Sequence, residues 1–189
     1  MAGVAGTGGR VVAGPAPSLV TARLLLRTPS EADIPDIVGQ ANDWAVARRL
    51  GRLPHPYGEA DAHHFLAHVV PKELAWAICS RTDGTFMGCI GLTPEPAGDA
   101  AELGYWLGRR FWGWGFATEA GAAVVAHAVT ELRLPRLTSG YFTDNAASGR
   151  VLSKLGFVQA GCTQRPCLAV GRPLPLVAMV FTPDRRSHE

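Results

Sequence analysis

The sequence predicts a single α+β domain built on a central mixed β-sheet that helices cover. Its 189 residues fit one domain, at about one domain per 150 residues, and its 47% hydrophobic content is ample for a packed core. Predicted helices come early, strands dominate the middle, and strands and helices alternate at the end, an order typical of this class. We expect a disordered tail over residues 1–17, the domain over 18–183 and a C-terminal tail over 184–189.

The first half of the chain is predicted to contain one strand followed by three helical segments. Ser30, with Asp33 three residues later, has the pattern of a capping box and opens the first helix. Pro71 stops the last of the three, because proline cannot continue a helix. In chain order these elements cover Leu19–Arg27, 31–42, Asp43–Leu50 and Glu59–Val70.

The second half is predicted to contain six strands and two helices. The sequence TDGT between the first two strands is typical of a hairpin turn. Apolar residues at 117, 121, 124, 125, 128 and 132 recur at helical spacing and predict one long helix. The predicted strands are Glu73–Arg81, Thr85–Thr93, Ala100–Gly108, Arg136–Phe142, 157–165 and 174–181, and the predicted helices are Phe116–Leu132 and Asn145–Leu155.

Composition argues against a nucleic-acid-binding, membrane or exported protein. The net charge of +2 is small and the basic residues are scattered, so we expect no nucleic-acid partner. The most apolar helical window, Phe116–Val129, is shorter than the roughly 20 residues that a membrane span needs. The N-terminal residues lack a basic stretch followed by an apolar run, so we expect no signal peptide and a cytoplasmic protein.

Neither the histidines nor the cysteines predict a metal site. His64 and His68 lie four residues apart on a predicted helix, but no glutamate or third ligand accompanies them. The four cysteines show no CxxC spacing and are expected as reduced thiols. They are Cys79, Cys89, Cys162 and Cys167.

The stretch GRRFWGWGFATEA, residues 108–120, joins a predicted strand to a predicted helix. The first turn of a helix presents unpaired N–H groups and the positive end of its dipole. Gly113 and Gly115 allow a positive φ and close approach to a ligand, and Arg109 or Arg110 would add charge. This combination suits a phosphate or pyrophosphate. The alternative is a turn whose aromatic residues pack in the core, and spacing alone leaves both interpretations open.

Two common phosphate-binding motifs are excluded. A Walker P-loop ends in Gly-Lys-Ser/Thr, whereas this stretch continues as Gly-Phe-Ala-Thr. A dinucleotide fingerprint requires Gly or Ala at position 118, where Thr stands, and an acidic residue about 20 positions later. The ligand is therefore predicted to be neither ATP in a P-loop nor NAD.

Glu102 is the single charged residue between Ala100 and Gly108. Strand alternation places it on one face with Gly104 and Trp106. It lies seven positions before Arg109, roughly 23 Å along an extended chain, a separation that suits a long cofactor with a charged end and a reactive end. The alternative is a solvated residue on the sheet surface.

The stretch TDNAASGRVLSKLGF places Asn145 at the N-cap of a predicted helix and Ser148 at its third position. Ser148 shares a helical face with apolar residues, so its hydroxyl is expected to point inward. Capping alone would also explain both residues. Gly149 costs a helix roughly 1 kcal/mol relative to alanine, and nothing in the sequence explains it.

In this order, LVTARLLLRTPSEADIPDI, MGCIGL, AELGYWLGRRFWGWGFATEA and TDNAASGRVLSKLGF resemble the GNAT superfamily of N-acetyltransferases. The closest resemblance is to the branch of ribosomal-protein Ser/Ala N-terminal acetyltransferases, and it covers about residues 18–160. The family signature Arg/Gln-x-x-Gly-x-Gly/Ala is matched by Arg110, Gly113 and Gly115. The proline-rich C-terminal segment and Gly149 depart from the family pattern.

The resemblance implies a mostly antiparallel sheet with helices on both faces, splayed between the fourth and fifth strands, here Ala100–Gly108 and Arg136–Phe142. It also implies acetyl-CoA as acyl donor, with direct attack by an amine in a ternary complex. Glu102 would be the general base, in an apolar site, and Ser148 would protonate or hydrogen-bond the CoA thiolate. The implied cofactor-binding residues are Trp106, Leu107, Arg110, Trp112, Gly113, Trp114, Gly115, Phe116, Ala117, Thr118 and Asn145.

The acceptor is expected to be a protein N-terminus or a small amine, and the sequence does not choose between them. A homodimer is left open. The alternative function is an acyl-CoA-binding sensor without catalysis, although such a module would need neither Glu102 nor Ser148.

Overall fold

A mixed β-sheet of eight strands forms the centre of the domain in the computed structural model, which describes residues 14–183. The strands are β1 (Leu19–Val20), β2 (Leu24–Arg27), β3 (Leu74–Ser80), β4 (Phe86–Pro94), β5 (Ala100–Leu107), β6 (Arg136–Phe142), β7 (Val158–Cys167) and β8 (Arg172–Phe181). Their order across the sheet is β1-β2-β3-β4-β5-β6-β8-β7. Within this sheet β5 and β6 run parallel, and the other neighbours are antiparallel.

Helices cover both faces of the sheet, which confirms the predicted α+β fold. They are α1 (Ile34–Ala41), α2 (Trp44–Ala47), α3 (Glu59–His64), α4 (Phe116–Thr130) and α5 (Ala146–Lys154). On one face Val124 of α4 and Leu152 of α5 share a core with Leu103. On the other, Ile37 of α1 packs in a second core with Ala77. Across residues 14–183, no helix is long and apolar enough to cross a bilayer.

The predicted first strand, Leu19–Arg27, is wrong as one continuous element. The chain folds there into a hairpin of β1 and β2, with Leu19 opposite Leu26. Thr21 closes the turn, because its hydroxyl accepts a hydrogen bond from the Leu24 amide (2.9 Å). A local side-chain bond of this kind competes with extended structure.

Two early helical segments are shorter than predicted. The segment expected over Asp43–Leu50 is helical over Trp44–Ala47 alone. The helix expected over Glu59–Val70 ends as α3 at His64 and continues as a π-helical turn. Segment 48–53 is left as a loop, and it lies beside the cleft described below.

The parallel strands β5 and β6 separate after a short paired region, as the resemblance implied. Their pairing extends from Ala100 opposite Arg136 to Glu102 opposite Thr138. One residue further, the Ser139 hydroxyl donates to the Leu103 carbonyl (2.8 Å). Beyond that contact no pairing joins the two strands within the described sheet, so a gap opens between them.

Two residues of the predicted N-terminal tail, Ala16 and Pro17, contact the sheet. Ala16 is buried, and the Pro17 carbonyl accepts a hydrogen bond from the Trp76 indole (2.7 Å). Most of the predicted N-terminal tail and all of the predicted C-terminal tail, residues 184–189, lie outside the described residues.

Candidate active site

A cleft of about 710 Å³ occupies the gap between β5 and β6. It brings together eleven of the thirteen residues predicted for the site: Glu102, Trp106, Leu107, Trp112, Gly113, Gly115, Phe116, Ala117, Thr118, Asn145 and Ser148. The other two, Arg110 and Trp114, do not line it. Arg110 lies over the Phe111 ring, 4.6 Å from its centroid, and borders a separate shallow hollow. Trp114 is 67% exposed.

The stretch 109–118, here called the cradle, forms one end of the cleft. Gly113 and Gly115 both have φ of +82°, and Gly115 is the N-cap of α4. A Cβ at Gly113 would meet nothing within 4 Å, so the backbone angle and not crowding requires glycine there. The first-turn amides of α4, at Phe116 to Thr118, have no partner within the helix and lie at the positive end of its dipole. This donor set fits a pyrophosphate.

Arg23, in the turn before β2, contacts the cradle and the first turn of α4 and so links them to the N-terminal hairpin. Its guanidinium donates to the Trp114 carbonyl (3.1 Å) and to the Glu119 carboxylate (2.7 Å), and it lies 4.5 Å from the centre of the Phe116 ring. Burial tends to raise the pKa of Glu119, but hydrogen bonds from Thr21 and Arg23 outweigh it and leave that pKa lowered. This pairing was not predictable from local sequence patterns, because its partners lie 96 residues apart.

The aromatic residues of the cradle have three different environments. Trp112 donates its indole N–H to the Leu107 carbonyl (2.8 Å) and carries the Arg49 guanidinium over its ring at 4.9 Å. Phe116 packs against the main core and borders the cleft. Trp114 projects outward. The aromatic residues of this stretch therefore neither all pack in the core nor all line the cleft.

Positive charge reaches the cleft from residues other than those predicted. Arg109 or Arg110 was predicted for this role, but both lie in the short helical turn that borders the shallow hollow. Arg150 and Lys154 on α5 line the cleft instead. These two residues are four positions apart on one predicted helix, so the sequence alone places them on the same helical face.

Glu102 enters the cleft from the face of the sheet covered by α1 and α3. Its side chain is 34% exposed and forms an ion pair with Arg165 of β7. The apolar surroundings expected for this carboxylate are therefore not found. Beside it, Gly104 lies opposite Gly91 of β4, and a Cβ at Gly104 would meet nothing within 4 Å. The strand surface next to the carboxylate is thus open to a ligand.

Ser148 enters the cleft from the opposite face and is hydrogen-bonded to Tyr105. The two hydroxyl oxygens are 2.7 Å apart, and the tyrosine hydroxyl is also 3.2 Å from the Ser148 carbonyl. Burial raises the pKa of Tyr105 to about 12, although the bond to Ser148 opposes this, so the phenol is protonated at neutral pH. Tyr105 also lines the cleft and was not among the residues predicted for the site.

The contacts of α5 show the positions of Asn145 and Gly149. Asn145 is the N-cap, and its side chain accepts a hydrogen bond from the Ser148 amide (3.4 Å) while it also borders the cleft. Gly149 is explained by Tyr141 of β6, since a Cβ at position 149 would lie 2.6 Å from the tyrosine ring. Among residues 14–183 there is no group of three side chains that would hold a metal ion.

Fold and site together define a class of protein. A sheet opened beside a parallel pair of strands, with an anion-binding helix N-terminus at one end of the opening, accommodates a long phosphorylated carrier. A carboxylate and a hydroxyl meet the opening from opposite faces. This is the arrangement expected of a CoA-dependent acyltransferase.

Residues 23–158 match the model of the acetyltransferase (GNAT) domain, and the chain belongs to this family. It is an acetyl-CoA-dependent N-acetyltransferase. It is 31% identical over 163 residues to the uncharacterized N-acetyltransferase YoaA of Bacillus subtilis, covering 83% of this chain and 92% of that protein.

Two solved structures share the fold. A ribosomal-protein-S5-alanine acetyltransferase from Vibrio fischeri aligns with a TM-score of 0.76 at 17% identity, over 91% of this chain and all of that one. A spermidine N-acetyltransferase from Vibrio cholerae, in complex with CoA and spermine, aligns with a TM-score of 0.73 at 17% identity, over 86% of this chain and 96% of that one. The resemblance stated from the sequence is confirmed.

Proposed function

We propose that the enzyme moves the acetyl group directly to a primary amine while both substrates are bound, with Glu102 as general base and Ser148 as proton donor to the departing thiolate. One observation carries this proposal: the cleft passes between β5 and β6, and Glu102 and Ser148 face it from opposite sides of the sheet. An amine entering from one face and a thioester from the other would meet at the gap. Holding the two together supplies much of the acceleration.

The residues that would hold acetyl-CoA follow the cleft. The amides of 113–118 would bind the pyrophosphate, with Arg150 and Lys154 adding charge, and Asn145, Trp106 and Leu107 would border the pantetheine arm. When bound, the cosubstrate supplies an activated acyl group as a thioester. Backbone groups of β5 that lack a partner beyond Glu102 would hydrogen-bond the arm.

Glu102 would take one proton from the incoming ammonium, either directly or through water, because only the free amine is nucleophilic. Its ion pair with Arg165 means that the ammonium competes with a guanidinium for the carboxylate. Ser148 would place its hydroxyl proton next to the sulfur atom on which the CoA thiolate forms. If Tyr105 donates its proton to the Ser148 oxygen, the serine proton is free to point into the cleft.

Replacing Tyr105 by phenylalanine is expected to lower kcat about 10-fold with little change in the KM for acetyl-CoA, because Ser148 loses the partner that orients it. Steady-state kinetics of Tyr105→Phe, Ser148→Ala and the double variant would measure this. The double variant should be no slower than Ser148→Ala alone, since the two hydroxyls act as a unit. If the losses in kcat of the two single variants added in full in the double variant, the proposal that Tyr105 acts through Ser148 would be refuted.

The proposed function is tested by thiol release from acetyl-CoA with a panel of peptides and small amines, at varied concentrations of both substrates. Intersecting double-reciprocal plots are expected for a ternary complex, whereas parallel plots would indicate an acetylated enzyme and contradict direct transfer. Acetyl-CoA binding without thiol release for any amine would favour the sensor function instead.

The cytoplasmic location and the homodimer stay predictions.

A further inference from the structure

Five of the polar side chains that border the cleft on the α1 and α3 face of the sheet form a group that we call the acceptor mouth: Arg52, Glu73, Thr93, Glu102 and Arg165. Asp61, whose carboxylate accepts a hydrogen bond from the Gly58 amide (2.9 Å), and His64 border the cleft from α3. The acceptor mouth contains two adjacent ion pairs. Arg52 contacts Glu73 at 2.6 Å and donates to the Thr93 hydroxyl at 3.2 Å, and Arg165 pairs with Glu102. The mouth thus presents both signs of charge next to the proposed base.

The guanidinium groups of the acceptor mouth are more exposed than the carboxylates. Side-chain exposure is 67% for Arg52 and 41% for Arg165, against 10% for Glu73 and 34% for Glu102. A polyamine would place several ammonium groups against two exposed cations while both carboxylates are already paired. A ligand that carries an anion beside its amine matches this pattern instead.

Arg165 is fixed in position and has donors to spare. Within the described residues its side chain donates to Glu102 alone, and a guanidinium has five N–H groups. A Cβ at Gly51 would lie 3.3 Å from the Arg165 Cδ, a close contact, so the loop packs tightly against this side chain. The Leu168 amide donates to the Gly51 carbonyl (3.1 Å) and ties the end of β7 to the loop over residues 48–53.

We propose that the acceptor is a small zwitterion, an amine with a carboxylate a few bonds away, as in an amino acid. The ammonium would bind at Glu102 and the carboxylate at the free N–H groups of Arg165, which recognise a carboxylate through two parallel hydrogen bonds. The bond between Leu168 and Gly51 places the end of β7, and with it Arg165, beside the loop over residues 48–53 that borders the cleft. This inference rests on the proposed function.

The test compares L-amino acids with their C-terminal amides, with spermidine, and with a short peptide amidated at its C-terminus, at equal concentrations of free amine. The acids are expected to have a kcat/KM at least about 10-fold above that of the amides, because a hydrogen bond to a charged group is lost. Arg165→Met should reduce that preference about 10-fold, and Arg165→Lys should restore part of it. An unchanged KM for acetyl-CoA would show that the variants are folded.

Arg172→Met is the matched control, because Arg172 is exposed and does not line the cleft. It should leave the preference unchanged within about twofold. Transfer to amides, spermidine or the peptide as fast as to the acids would overturn the inference and leave the proposed function intact. Calorimetry with the CoA complex separates the reverse case: tight binding of the acids, weakened by Arg165→Met, without acetyl transfer in the kinetic assay would support the zwitterion-binding site at Arg165 and contradict the proposed transfer to it.

Discussion

Glu102→Gln is expected to lower kcat/KM for the amine about 10²–10³-fold at neutral pH, since a general base contributes an acceleration of this order. The substitution keeps the shape of the side chain but removes the acceptor for the ammonium proton. Affinity for acetyl-CoA should be unchanged, because the cradle lies at the far end of β5. Activity of the variant should recover as the pH rises, since the amine then arrives already deprotonated.

The measurement is a pH–rate profile of the variant and the wild type with one amine acceptor. Glu131→Gln is the matched control, as Glu131 is exposed after the last turn of α4 and away from the cleft. A variant that is as slow at high pH as at neutral pH would point to a lost structural contact, namely the ion pair with Arg165, instead of a lost base. Wild-type activity in Glu102→Gln would remove Glu102 from the mechanism.

Gly115→Val is expected to raise the KM for acetyl-CoA by about 10-fold or more, because a β-branched residue is strained at a φ of +82° by roughly 1–2 kcal/mol. The cradle would relax to another backbone conformation and turn its amides away from the pyrophosphate. At saturating acetyl-CoA, kcat should change much less. Titration calorimetry with CoA and steady-state kinetics would measure the two effects separately.

Gly39→Ala serves as the control for replacing a glycine. Gly39 is exposed within α1, where a Cβ would meet nothing within 4 Å, and alanine there should stabilise the helix by up to about 1 kcal/mol. CoA affinity should be unaffected. Equal CoA affinity in Gly115→Val and the wild type would contradict the assignment of the cradle to the pyrophosphate.

The elements of this fold were predictable because their signals are local. The strand over Arg136–Phe142 has the predicted bounds, and β5 and α4 differ from prediction by one or two residues. Periodicity, the hairpin turn and the cap at Asn145 each involve neighbours in sequence. The hairpin β1–β2 was missed because a three-residue turn inside an apolar run leaves no clear break in the pattern.

The site was predictable where it depends on backbone conformation and less so where it depends on pairing. The glycines before a predicted helix allowed the cradle as one of two interpretations, and the order of the neighbouring motifs favoured it. By contrast, Arg165 meets Glu102 across 63 residues and Tyr105 meets Ser148 across 43. Residue types alone do not say which arginine reaches which carboxylate. The same limit applies to the charge at the cradle: adjacency in sequence favoured Arg110, but this residue lies in a tight turn and borders the shallow hollow and not the cleft.

If the cradle binds acetyl-CoA as proposed, the contacts of Arg23 make the N-terminal hairpin part of that site, although no ligand atom need touch it. These contacts hold the cradle from outside, so little loop entropy would be lost on binding. Local unfolding of β1 and β2 would release Arg23 and with it the Trp114 carbonyl. On the proposed assignment, folding of the hairpin and occupancy of the cradle are therefore linked equilibria, and acetyl-CoA would act on the first as a stabilising ligand.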